Sequence, residues 1–171
     1  MQGLISQDYL MHHGVKGQKW GVRHDPERSG ARQRTLAAKA NYKKANKQYN
    51  KAYSKWYASA YDPRSTFTEK GRRKYQKNTL EMGKAAVKVH IEKGKYMQAK
   101  GIEKNKPKLV AKGKRKTELA MNTNKYYSEV SKHFNAGHSY NDSVHKSRDT
   151  YNKLRDREID IKAKYRKQYG I

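Results

Sequence analysis

Ala38-Lys39-Ala40-Asn41-Tyr42-Lys43-Lys44-Ala45-Asn46-Lys47-Gln48-Tyr49-Asn50-Lys51-Ala52-Tyr53-Ser54-Lys55-Trp56-Tyr57-Ala58-Ser59-Ala60 is the stretch whose pattern decides the fold. Within it Ala38, Tyr42, Ala45, Tyr49, Ala52, Trp56 and Ala60 recur at steps of four and three residues. An α-helix turns once in about 3.6 residues, so this spacing gathers them on one face. Lys39, Lys43, Lys44, Lys47, Lys51 and Lys55 fall between them and fan over the opposite surface. The stripe predicts one amphipathic helix from about Ser29, packed through alanine and aromatic rings. Tyr61-Asp62-Pro63 ends it, because proline disfavours helical geometry in the residue before it.

Outward from this helix the same pattern repeats. A second helix is expected from Thr68, a side-chain cap with Glu69 just inside it, through Tyr75, Met82, Ala86, Val89 and Tyr96. Gly71, Gly83, Gly94 and Gly101 each cost about 1 kcal/mol relative to alanine inside a helix, which predicts fraying or a break after Lys93. Asn105-Lys106-Pro107 marks the next boundary. A third helix carries Leu109, Leu119, Ala120, Tyr126, Tyr127, Val130 and Phe134 and ends at Asn135-Ala136-Gly137-His138. A fourth places Val144, Ser147, Tyr151, Leu154, Ile161 and Tyr165 at near-heptad spacing, and Asp156, Glu158 and Asp160 make it the least basic. The expected fold is all-α, an elongated helical bundle or a set of helical hairpins, behind a Gly-rich, irregular N-terminal segment. Its units are residues 1–28, a basic hairpin over 29–104 and a second hairpin over 105–171.

Composition explains why the packing must be thin. Leu, Ile, Val and Phe together supply 22 of 171 residues. Below roughly 20% of these residues, with high net charge, apolar burial struggles to offset the entropy lost on ordering the chain. Fourteen tyrosines and frequent alanines take over part of that role, as rings with wet hydroxyl edges. Against 15 acids stand 41 Lys and Arg, a formal charge of +26 that internal pairing cannot neutralise. A polyanionic partner is the simplest remedy.

The first 28 residues differ in texture, with Gly14, Gly17, Gly21 and Pro26 as punctuation and His12, His13, Trp20 and His24 concentrated there. The run His12-His13-Gly14-Val15-Lys16-Gly17-Gln18-Lys19-Trp20-Gly21-Val22-Arg23 resembles a motif (HHGxKGQKWGVR) of phage and prophage proteins from Gram-positive bacteria. In that group it is often followed by Thr-x-x-Gly-basic-basic-Tyr. Thr68-Glu69-Lys70-Gly71-Arg72-Arg73-Lys74-Tyr75 is similar, one residue longer before the tyrosine and separated here by a whole basic helix. The resemblance implies a component encoded among phage head or morphogenesis functions, of a kind mostly without an assigned activity. Read from the residues alone, the glycines let the backbone turn tightly and Trp20 offers a flat anchor ringed by Lys16, Lys19 and Arg23. His12, His13, Gly14, Lys16, Gly17, Gln18, Lys19, Trp20, Gly21, Val22 and Arg23 are therefore expected to form a protein-docking peptide; the bland alternative is that Trp20 folds back on the first helix.

Several chemistries are set aside. The chain has no cysteine, which removes disulfides, thiolate metal sites and cysteine nucleophiles. His133, His138 and His145 lack the three- or four-residue step that puts two ligands on one helical face, so no metal site is expected. Asp8 and Asp25 stand alone near the paired histidines, giving no nuclease constellation, and Gly14, Gly17 and Gly21 match no phosphate-loop spacing. No enzymatic activity and no cofactor are expected. Met1 to Leu10 shows neither a basic leader nor an unbroken apolar run, and no window approaches a membrane span of roughly 18 residues. A cytoplasmic product is therefore expected, and the phage resemblance implies the host bacterial cytoplasm, with incorporation into the virion as a further fate.

Nucleic-acid contact is expected along three basic ridges: Lys43, Lys44, Lys47, Lys51 and Lys55; Arg72, Arg73 and Lys74; and Lys112, Lys114, Arg115 and Lys116. Lysine outnumbers arginine, which favours point contacts with phosphate over bidentate base reading, so binding of DNA or RNA should be salt-sensitive and sequence-independent. Tyr42, Tyr49 and Tyr53 share the helical spacing of the stripe and are expected in the packing more than on bases. The leading expectation is a phage head-associated accessory protein whose motif docks on another phage protein. The alternative is a host-takeover factor of the anti-CRISPR type that binds a guide RNA or a host ribonucleoprotein; association with ribosomes or an anionic membrane surface ranks last, since stripes of Tyr and Ala insert poorly into lipid.

Overall fold

The computed structural model describes the backbone of residues 26–171 and the side chains of 29–64 and 67–171. Every regular element among the described residues is helical: α1 (Pro26–Ala60), α2 (Arg64–Phe67), α3 (Glu69–Glu103), α4 (Pro107–Asn135), α5 (Tyr140–Lys146) and α6 (Arg148–Tyr169). The chain is all-α, as its periodicity predicts. The helices of 35 residues, α1 and α3, are each about 52 Å long at 1.5 Å per residue, which sets the elongated form.

The elements begin and end where local chemistry dictates. Tyr61-Asp62-Pro63 stops α1, and the Asp62 carboxylate accepts from the Arg64 amide at 3.0 Å to start the single turn of α2. Thr68 then caps α3: its hydroxyl accepts from the Gly71 amide at 3.0 Å and donates to the Arg64 carbonyl at 2.9 Å. Asn105 closes α3 with φ 49°, while the Lys106 amide donates to the Gly101 carbonyl and the Asn105 amide to that of Ile102, a Schellman arrangement. Pro107 opens α4 at a position where its missing N–H is no loss. Gly137, at φ 98°, repeats the Schellman arrangement at the end of α4.

The predicted α1 stripe is the buried face, with Ala45 1% exposed and Ala38, Tyr42, Tyr49, Ala52, Trp56 and Ala60 half-buried. Tyr42 lies parallel to Tyr96 of α3, ring centroids 6.4 Å apart, and Asn78 donates to the Lys55 carbonyl, so α1 and α3 run antiparallel. Among the described residues α1 packs extensively only on α3, α3 packs also on α4, and α4 on α6. The α3–α4 seam is the most extensive, and it joins the two hairpins expected from the sequence.

The helices depart from the sequence expectation in two places. The glycines of α3 do not break it, because three of them are where α4 comes closest. A Cβ on Gly94 would lie 2.8 Å from the Gly113 carbonyl and 2.3 Å from the Thr117 hydroxyl; one on Gly83 would lie 2.4 Å from the Tyr127 ring. Gly101 meets Val110 in the same way. Packing gained at the seam outweighs the propensity cost, and Gln98 donating to Thr117 at 3.1 Å ties it laterally. The expected fourth helix is two, α5 and α6, divided at Ser147. The hydroxyls of Ser143 and Ser147 each donate, at 2.7 Å, to the carbonyl four residues back, competing with the ladder as buried serines do.

The core is as sparse as composition demands. One cluster joins Leu80, Val130 and Phe134, with Tyr126, Tyr127, Tyr140 and Val144 against it. The other joins Ala111, Ile161 and Tyr165 with Leu119, Tyr169 and Ile171. They sit toward opposite ends of α4, about 30 Å apart along its axis. Tyr165 donates to Glu118 at 2.8 Å, and burial, followed by this bond, pushes its phenol well above the ordinary range. Asn122 donates to the Leu154 carbonyl, a second polar tie between α4 and α6.

Candidate nucleic-acid interface

With its apolar stripe turned to α3, α1 presents its lysines outward. Lys43, Lys44, Lys47, Lys51 and Lys55 are all exposed, as is Lys39. From Arg28 to Tyr61 the chain has nine cations and no acid, so these lysines have no intrahelical partner within reach. Elsewhere acids take cations: Glu92 holds Lys95 at 2.9 Å and Glu129 holds Lys132 at 3.1 Å within their own helices, and Glu118 of α4 lies 3.6 Å from Lys164 of α6. None of the five α1 lysines has a carboxylate partner among the described residues. The face is an uncompensated row of positive charge spanning about 18 Å from Lys43 to Lys55.

The other two ridges occupy different places. Arg72, Arg73 and Lys74 are exposed on the first two turns of α3, beyond the Lys55 end of α1, and the Arg73 guanidinium lies over the Phe134 ring, 5.7 Å from its centroid. Lys112 and Lys114 are exposed on α4, whereas Arg115 and Lys116 are half-buried. The Arg115 Nε is buried without a hydrogen-bond partner among the described residues. Because Gly113 faces Gly94, this ridge lies about 30 Å along α3 from Arg73, and α3 itself separates it from α1. The ridges therefore mark one flank and two ends rather than a single patch.

The α3–α4 register adds a cationic group that the residue pattern alone does not reveal. His90 and Lys93 of α3 meet Lys116 of α4 beside a cavity of about 240 Å³ lined by Val87, His90, Lys116, Leu119, Ala120 and Thr123. Burial first, then repulsion from Lys116 and Lys93, lowers the His90 pKa below its usual value; burial and Lys93 lower that of Lys116. The α3 and α4 members are 23 or more residues apart across the seam, beyond the reach of any local spacing. Among the described residues there is no cluster of three or more His, Asp or Glu able to hold a metal, and no helix long and apolar enough to cross a membrane.

The aromatic residues divide in a way the helical spacing only partly anticipates. Tyr42, stacked on Tyr96, and Tyr49 are half-buried, as expected, but Tyr53 is 42% exposed. The segment His12 to Arg23, expected from the sequence to be a docking peptide, lies outside the described residues. A family model described as a family of unknown function (DUF7211) matches residues 5–27. The match contains that peptide whole. No curated protein and no solved structure matches the chain.

Proposed function

We propose that this chain is a non-enzymatic, head-associated accessory protein of a phage or prophage that binds nucleic acid without sequence preference through its basic helices. The observation that carries the binding half is the acid-free α1 face, with Lys43, Lys44, Lys47, Lys51 and Lys55 exposed and without carboxylate partners among the described residues. Lysines held on a rigid helix meet phosphates as point charges, and release of condensed counterions supplies the affinity. The phage half rests on the resemblance of His12 to Arg23, with Trp20 as the anchor of a peptide that docks on another phage protein. Mobility-shift titrations of duplex DNA, single-stranded DNA and RNA at two salt concentrations test the binding half. Retardation of all three at low salt, weakened at the higher, is the expected result; failure to retard any at low salt refutes it.

A further inference from the structure

Resting on that reading, we infer that α1 carries a stacking site for unpaired bases, so that single-stranded nucleic acid is the preferred form of the polyanion. Tyr49, Tyr53, Tyr57 and Tyr61 stand four residues apart. Four residues are about 400° of helix, so each step moves the row about 40° around the axis, out of the α3 interface and onto the surface. Exposure follows that drift: Tyr49 is half-buried, Tyr53 is 42% exposed, Tyr57 49% and Tyr61 72%. The rings nonetheless stay neighbours, centroids 6.1 Å apart for Tyr49 and Tyr53, 6.3 Å for Tyr53 and Tyr57, and 4.5 Å for Tyr57 and Tyr61. Trp56 braces Tyr53 from the interface side at 5.6 Å. The result is a continuous aromatic row whose side chains are already ordered against one another, which lowers the entropic cost of stacking a ligand on them.

What surrounds the row selects its ligand. The same helical geometry puts Asn50, Ser54, Lys43 and Lys47 on its solvent side, with Lys51 and Lys55 beyond, and no acid occurs until Asp62, whose carboxylate is engaged by the Arg64 amide. Cations running beside stacked rings are the composition of sequence-tolerant single-strand binding, in which the backbone meets lysines and the bases meet rings. A duplex hides its base faces, so it uses the lysines and gains nothing from the tyrosines. A lipid surface is a poorer match, because no Leu, Ile, Val, Phe or Met occurs from residue 37 to residue 66 to enter the bilayer.

The test compares a labelled oligothymidylate and oligouridylate with a duplex of equal length by fluorescence anisotropy, using the full chain and two triple variants. The unaltered protein is expected to hold at least one single strand more tightly than the duplex. Tyr53→Ala, Tyr57→Ala and Tyr61→Ala combined should weaken single-strand binding on the order of tenfold per ring while leaving duplex affinity as it was. The matching Phe variant should retain the preference. Oligonucleotides carrying 5-iodouracil should cross-link to Tyr57 or Tyr61 of the unaltered protein, a result that does not depend on any variant folding. Equal losses on both forms, no loss on either, cross-links confined to other elements, or a loss seen only on phosphatidylglycerol vesicles would each overturn the stacking site while leaving the charge-driven binding in place. Absence of binding to duplex and single strands alike at low salt overturns the parent reading instead.

Discussion

At Ser139 one hydroxyl works in two directions: it accepts from the Asp142 amide at 3.1 Å and donates to the Asp142 carboxylate at 2.6 Å. That second hydrogen bond is the main reason the Asp142 carboxyl titrates below the ordinary carboxylate value. A carboxylate whose folded pKa is depressed adds stability above its unfolded pKa and surrenders it as pH falls through the folded one. Chemical denaturation between neutral pH and pH below about 4 should therefore show a loss on the acid side that shrinks in Asp142→Asn. Ser139→Ala removes the cap itself and should cost about 1 kcal/mol at neutral pH. An unchanged unfolding midpoint for Ser139→Ala would show that the cap adds nothing to this short helix. Such single-residue devices are the most legible from sequence. Thr68, Pro107 and Gly137 each sit where the chain predicts a start or an end, because capping chemistry is complete within a few residues of itself.

At the scale of elements, legibility falls wherever a helix answers to a neighbour distant in sequence. The α1 stripe reads correctly because burial there is set by period alone. The glycines of α3 read wrongly, since the cost of Gly94 is local while its compensation, Gly113 and Thr117, lies in α4. The spacings of 11 residues from Gly83 to Gly94 and 7 from Gly94 to Gly101 are both near whole numbers of turns, and that period is the signal the sequence offers. Gly94→Ala should lower stability by roughly 2 kcal/mol despite alanine's better propensity, because the backbone of α4 blocks the added methyl. Gly30→Ala, where nothing lies within 4 Å, should instead raise it by up to about 1 kcal/mol. Urea denaturation of the pair checks both signs, and a stabilised Gly94→Ala would contradict the close seam. The exposed tyrosine row is equally readable as a drift of the four-residue step, but treating every ring on the stripe as core conceals it.

At the scale of the whole molecule, the long helices of the described residues form a chain of neighbours, α1 on α3, α3 on α4 and α4 on α6, instead of closing around one core. That arrangement suits a sequence poor in aliphatic residues, since each seam buries little and leaves wide outer faces. It also distributes the charge: an acid-free flank on α1, separate basic ends on α3 and α4, and the His90, Lys93 and Lys116 group in the seam. Composition reveals the excess of cations, but only the helix register says which of them share a surface. Of the expected interface, the lysines of α1 are the part assembled on one continuous face. The salt dependence of binding tests this most directly. Log affinity for duplex DNA against log salt should be linear, and replacing Lys43, Lys44, Lys47, Lys51 and Lys55 by Gln should flatten its slope by about 0.9 for each phosphate that is no longer neutralised. A slope and affinity unchanged by those five substitutions, with helicity intact, would contradict the assignment of this face.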